Sequence, residues 1–345
     1  MKRSLSSLYF RWSSPPLHSS ARCITSLSET KKSFPYPSTT GPRYQQAGVI
    51  MNSEFTLRFP QQEYHLNCWS ISGMESTVTV RTSDGPSYAF DMGQATRPSV
   101  SADYVMITHG HTDHCGAIHK HVAQRDLLSK RPATYFCPPD IEKSLKAICR
   151  QYAIMGEYNK PTMENPTILP ISLGSRTALS NKRTLVPFIT YHRVPSQGYM
   201  IYSKEHVLKP EYAHVNPRQA HEMTRQGVEV REWKEIPEIA YTGDTTFEAF
   251  TDTVNADVLN ARILITEATY ICDKQSPSKA KERGHCHLMD FAKNADLFQN
   301  VGALVLVHLS DRYNRRHADQ WINRSLPMAL KKKTWVPTLN KDMEY

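Results

Sequence analysis

The residues most able to do chemistry in this chain sit within a six-residue stretch, His109-Gly-His111-Thr-Asp113-His114. Imidazole nitrogens suit zinc, and a carboxylate can complete the shell of a second ion. Four donors so close in sequence cannot share one ion without strain. They can divide, His109 and His111 to one ion, Asp113 and His114 to another about 3.5–4 Å away. Such a pair of ions favours hydrolysis by an activated water. Gly110 and Gly116 are expected to free the backbone for the turn.

Four further ligand-type or acid–base residues stand at the ends of short apolar runs, as His109 does after Val105–Thr108. Leu185–Tyr191 leads into His192, Ile239–Gly243 into Asp244, Ile263–Thr266 into Glu267, and Leu304–Val307 into His308. Strand ends feeding loops are where a rigid sheet presents reactive groups together, so five arrivals predict one shared site at a sheet edge. Ahead of them, Phe55–Phe59, Ser76–Arg81 and Tyr88–Phe90 read as strands of an antiparallel start. Helical stretches are expected around 116–130, 140–155, 214–227, 287–299 and 316–325. The helix after the metal loop carries His119, Lys120, His121, Arg125, Lys130 and Arg131. It reads either as a solvated face or as a surface for an RNA stem.

The 345 residues allow one large domain, and 39% hydrophobic content supports a core. No apolar run is long enough for a membrane span. The seven cysteines form no CxxC pair and read as reduced thiols. Cys115, Cys272 and Cys286 lie near the candidate site and read as small buried hydrophobes rather than ligands. The formal charge is +9, but residues 1–50 hold seven basic residues and one acid, Glu29. The body is therefore only mildly basic. The first 28 residues contain no acid and are rich in Ser and dispersed Arg and Lys, the composition of a mitochondrial transit peptide, and Pro35, Pro37 and Pro42 suggest a linker. The expected organisation is a leader and linker over 1–50, one folded domain over 51–330, and a loosely packed basic tail over 331–345. A mitochondrial matrix location follows from the leader, with the cytosol and nucleus as alternatives.

His-x-His-x-Asp-His after a strand resembles the signature of the metallo-β-lactamase superfamily. The fold that the resemblance implies is α/β, an αββα sandwich of two mixed sheets flanked by helices. It also implies that His192 joins His109 and His111, that His308 joins Asp113 and His114, and that Asp244 bridges two zinc ions. Around these, His192–Tyr199, Tyr241–Thr246, Glu267-Ala-Thr-Tyr, Gly284-His285-Cys-His287, His308–Tyr313 and Phe90–Gly93 are similar to motifs of the ribonuclease Z family, closest to its short form, over roughly 50–327. In the last of these motifs Asp91 is structural.

That resemblance implies a zinc-dependent endoribonuclease, commonly a homodimer, that removes 3′ trailers from precursor tRNA. It implies that Asp113 orients or deprotonates the attacking water and that Glu267 with His285 protonates the leaving 3′-oxygen, His287 being a competitor for the second role. Arg312 reads as a phosphate contact or a surface ion pair. Many relatives carry a Gly- and Pro-rich arm that grips the tRNA elbow. The corresponding segment here, Ile201–Glu238, has no Gly-Pro pair. It interleaves Lys204, Lys209, Arg218, Arg225, Arg231 and Lys234 with Tyr202, Tyr212 and Trp233, and Glu205, Glu211, Glu222, Glu229, Glu232 and Glu235 offset the charge. It reads as an RNA-docking element or a solvated helix-loop. The rival functions are another hydrolase on the same fold, a thioesterase or small phosphodiesterase, and a non-catalytic RNA-binding or assembly factor.

Overall fold

The computed structural model describes residues 49–51, 53–156 and 161–337. The leader and most of the linker expected before residue 51, and the last eight residues, lie outside the described residues.

The strands, in chain order, are β1 (Val49–Met51), β2 (Glu54–Phe59), β3 (Gln62–Ile71), β4 (Glu75–Thr82), β5 (Ser87–Phe90), β6 (Tyr104–Met106), β7 (Thr134–Cys137), β8 (Thr167–Pro170), β9 (Thr177–Ser180), β10 (Arg183–Ile189), β11 (Gln197–Leu208), β12 (Arg231–Tyr241), β13 (Ile263–Glu267), β14 (Ala303–Val307) and β15 (Thr334–Pro337). They form two mixed sheets. One runs β2-β3-β4-β5-β6-β7-β8, and the other runs β1-β15-β14-β13-β12-β11-β10-β9. Each is antiparallel at one end and parallel at the other. The sandwich expected from the sequence is the one found.

Period-two alternation explains why the central strands are buried on both faces. In β13 and β14, Ile263, Ile265, Ala303, Val305 and Val307 point between the sheets, where they meet Leu57, Leu66, Val80 and Phe90. Leu264, Leu304 and Leu306 point the other way, against Phe291, Phe298 and Ile322 of the outer helices. Helix Glu142–Met155 covers the opposite sheet with Leu145 and Cys149, residues spaced by one helical turn. Among the described residues no helix is long and apolar enough to cross a membrane.

Two expectations about chain organisation change. Residues 331–337 are not a loose tail, because β15 lies inside the larger sheet, parallel to both β14 and β1. The lysine cluster reads as part of a loosely packed end, yet Lys333 is buried and its Nζ donates to the carbonyls of Phe298, Gln299 and Val301 at 2.6, 2.9 and 3.1 Å. The pairing of β1 with β15 likewise brings Val49 and Ile50 into the fold, ahead of the expected boundary at 51.

The segment Ile201–Glu238 is built largely of β11 and β12, with a helix-loop only over 209–230. The two strands pair continuously from Tyr199↔Tyr241 to Leu208↔Arg231 apart from one bulge, and so form a long ribbon. Helix Pro217–Arg225 sits beyond its end, started by a capping box of Asn216 and Gln219. The ribbon is therefore an arm without the Gly-Pro tip.

Candidate metal centre and active site

All seven candidate ligands converge. His109 follows β6, Asp113 and His114 open the short helix Thr112–Cys115, His192 follows β10, Asp244 follows β12 and His308 follows β14. Neither Gly110 nor Gly116, expected to free the backbone for the turn, has positive φ. Gly116 continues the helix at φ −62°, where a Cβ would lie 2.5 Å from the Thr112 carbonyl. The strained positions are instead Asp91 and His308, both non-glycine residues at φ 59° and both in the site.

The donors form two groups. His109 Nε2 lies 3.0 Å from His111 Nδ1, which lies 3.2 Å from His192 Nε2. In the second group His114 Nε2 lies 3.2 Å from His308 Nε2, and Asp113 Oδ2 is 3.5 Å from each. Nitrogens bound tetrahedrally at about 2.0–2.1 Å would stand about 3.3 Å apart, so the spacing suits a cation within each group. Asp244 faces both. Its Oδ2 is 3.9 Å from His109 and His192 Nε2, and its Oδ1 is 3.2 Å from His114 Nε2.

Two observations test whether the residues fit metal. Asp244 is buried, and its Oδ1 makes no well-aligned hydrogen bond but faces His114 Nε2 at 3.2 Å and His308 Nδ1 at 3.3 Å, a costly state for a carboxylate oxygen that a cation among them would relieve. Burial alone would keep His114 neutral, but the carboxylates of Asp244 and Asp91 outweigh it and hold its pKa well above the ordinary value. The site thus gathers negative charge that calls for a cation. His109, by contrast, is pushed down to about 2 by burial and by the charge on His114, and presents a neutral imidazole. The residues fit metal ions.

Outer partners set the orientation of the rings. His114 Nδ1 is 2.7 Å from Asp91 Oδ2, while Asp91 also accepts from Thr108 N, Thr108 Oγ1 and Tyr241 Oη. His192 Nδ1 donates to the Gly284 carbonyl at 2.8 Å, which leaves Nε2 to face the centre. His308 Nδ1 is 3.0 Å from Thr269 Oγ1. Such partners fix ring orientation and raise ligand basicity. Sequence reasoning gave no role to Thr108, Tyr241, Thr269 or Gly73, whose N–H donates to Asp113 Oδ2 at 2.9 Å. Thr269 and Tyr241 lie inside motifs named above, while Thr108 and Gly73 carry no signal in residue type or spacing.

Glu267 and His285 also meet. His285 Nδ1 is 2.9 Å from Glu267 Oε1 and 3.8 Å from Asp244 Oδ2. Burial disfavours the charged ring, but Glu267 and Asp244 prevail and push its pKa up to about 9. His287 is elsewhere. It caps helix Leu288–Lys293, its Nδ1 accepting from Met289 N at 3.0 Å. Cys115, Cys272 and Cys286 are buried and belong to none of the donor groups. His121 and Arg125 are buried too, His121 against Tyr135 Oη and Arg125 on the carbonyls of Val100 and Ala102, while Lys120, Lys130 and Arg131 are exposed.

Residues 86–309 match the β-lactamase superfamily domain. The chain is 34% identical over 253 residues to the chloroplastic tRNase Z TRZ2 of Arabidopsis thaliana, covering 73% of this chain and 69% of the relative. The chain belongs to the tRNase Z family of the β-lactamase superfamily. A second member, tRNase Z TRZ1 of Arabidopsis thaliana, is 29% identical over 277 residues, which cover 80% of this chain and 95% of that relative. Among solved structures, the metallo-β-lactamase fold protein YhfI from Bacillus subtilis shares the fold, with a TM-score of 0.50 at 15% identity, over 79% of this chain and 94% of that one. Family membership thus accounts for the converging histidines, and the Glu267–His285 pair remains to be given a task.

Proposed function

We propose that the chain is a zinc-dependent endoribonuclease that cuts precursor tRNA on the 3′ side of the acceptor stem, releasing the trailer and leaving a 3′-hydroxyl. The observation that carries this reading is the pairing of His285 with Glu267 at 2.9 Å, directly beside Asp244. Breaking a phosphodiester expels an alkoxide, which needs a proton; a thiolate leaves without one. A thioesterase would not need this pair.

His109, His111 and His192 would hold one ion, Asp113, His114 and His308 the other, and Asp244 would contact both. Bound there, two zinc ions would supply a water acidic enough to attack at neutral pH and positive charge beside the phosphoryl oxygens. Asp113, held by Gly73 N, orients that water or takes its proton. Glu267 is itself fixed, its Oε2 accepting from Thr269 Oγ1 at 2.6 Å and Cys286 N at 3.2 Å, so Oε1 is presented to His285 Nδ1. The imidazolium then carries its other proton on Nε2, which passes to the leaving 3′-oxygen.

The acid-poor leader supports delivery to an organelle, with the mitochondrial matrix as our reading, and one relative carries a chloroplastic name. Pairing of two copies is supported by the exposed apolar residues Ile148, Tyr152 and Met155 on helix Glu142–Met155.

The test uses the full chain with a 3′-extended precursor tRNA, a glutathione thioester and a synthetic phosphodiester, each with and without chelator, alongside metal analysis. Chelator-sensitive release of the trailer with a 3′-hydroxyl on the tRNA is expected. Thioester hydrolysis without RNA cleavage would overturn the reading.

A further inference from the structure

Two exposed arginines from different loops each lie against one ring beside His285. Arg283 Cζ and Arg312 Cζ each lie 5.8 Å from the centre of the Tyr270 ring. Arg283 Nη1 donates to Tyr270 Oη at 3.1 Å, and Arg312 Nε donates to Ser310 Oγ at 2.9 Å. Tyr270 is buried, and its ring stands 6.1 Å from that of His285. These contacts hold both guanidinium groups on neutral partners. Two like charges against one phenol repel each other, and a solvated guanidinium gains little from a ring. An anion between them reverses that balance, and the planar guanidinium fork matches a phosphate better than a point charge does.

We propose that Arg283 and Arg312, spaced by Tyr270, bind the phosphate on the 5′ side of the nucleotide whose 3′-oxygen leaves, and so set the scissile bond against His285. The direction follows from the proton. His285 serves the leaving 3′-oxygen, and the next phosphate toward the tRNA body is the other end of that same nucleotide. Cations immediately beyond His285 therefore meet that phosphate and not one in the trailer. The inference rests on the ribonuclease reading given above. It adds a subsite with a defined ligand, a single backbone phosphate read without regard to base.

The test uses the full chain and a precursor tRNA carrying an uncharged methylphosphonate at that one linkage. In the wild-type protein, neutralising it is expected to lower kcat/KM about tenfold to a hundredfold, the range for hydrogen bonds to charged groups. Arg283→Ala/Arg312→Ala should lose as much on the ordinary precursor, mainly through KM, and nothing further on the methylphosphonate. Arg283→Lys/Arg312→Lys should recover part of the loss, and it carries the same non-additivity test should the alanine pair fail to fold. A loss that adds in full to the methylphosphonate penalty, or variants with unchanged kcat/KM, would overturn the subsite alone. A wild-type protein that leaves the ordinary precursor uncut would overturn the ribonuclease reading and the subsite together.

Discussion

His285 Nδ1 lies 2.9 Å from Glu267 Oε1, and Glu267, 1% exposed, has its second oxygen occupied by Thr269 and Cys286. Oε1 also accepts from Thr245 N at 2.8 Å, so the carboxylate is fixed from both sides and its remaining lone pair faces the proton on His285 Nδ1.

A pH dependence follows. The pKa of His285 is raised to about 9, so its ring is charged through neutral pH and loses the proton as pH rises through that value. If the imidazolium protonates the leaving oxygen, kcat falls along an alkaline limb set by His285. Glu267→Gln removes the carboxylate that raises the value, so the proton is lost at lower pH. The limb should move down by about one to two pH units. His285→Ala should lower kcat by about 10²–10⁴ and flatten the limb. Steady-state pH–rate profiles on a precursor substrate check both. A limb that stays put in Glu267→Gln would remove Glu267 from this role.

Asp244 is the residue on which both donor groups depend. Asp244→Asn keeps the shape but replaces one carboxylate oxygen with an NH₂ that cannot ligate. We expect metal content to fall from about two ions per chain toward one or none and activity to fall by at least about 10²-fold, with the fold retained. Plasma emission metal analysis with circular dichroism separates this from unfolding. Two ions retained at full occupancy would mean that Asp244 does not contact both.

Asp91 stabilises the site from beneath. It accepts from Thr108, Tyr241 and His114 while fully buried and at φ 59°. Asp91→Ala leaves the N–H of Thr108 and the Tyr241 hydroxyl without this acceptor, at about 1–3 kcal/mol for each unsatisfied group. Thermal unfolding should show a loss of about 2–4 kcal/mol, together with weaker metal retention because His114 is no longer oriented. A variant with wild-type Tm and full metal content would show that Asp91 is dispensable.

Much of this was legible in the sequence for a physical reason. Metal ligation restricts residue type, and the strands that deliver His109, His192, Asp244 and His308 are buried on both faces, so they read as unbroken apolar runs ending in a donor. The supporting groups were not legible because many side chains can supply one hydrogen bond. Thr108, Thr269 and Tyr241 have ordinary residue types for their strands, and only the fold brings them within reach. β15 was missed because Lys331–Lys333 dominates its surroundings in sequence, whereas in the fold Lys333 satisfies three carbonyls at the end of a neighbouring turn. The strand ribbon of the arm was not legible because its charges alternate in sign along the chain, and only the fold sets Glu205 opposite Lys234 and Lys204 opposite Glu235.

That ribbon supports a last expectation. Trp233 is 62% exposed near its outer end, with His206 stacked on it at 4.8 Å and Lys204 Nζ 5.8 Å from its ring centre. An exposed indole flanked by basic groups suits RNA better than protein core. Replacing Lys209–Val230 with Asn-Gly keeps the pairing of Leu208 with Arg231 and closes the ribbon with a tight turn. The shortened protein should fold and hold its metal, because the donors all lie at the far end of the sheets. If the arm grips the tRNA body, KM for the precursor should rise about tenfold or more while kcat changes little, since binding remote from the reacting bond is lost equally from ground and transition states. Trp233→Ala should give a smaller rise in the same direction. Unchanged KM in the shortened protein would mean that this ribbon does not hold the substrate.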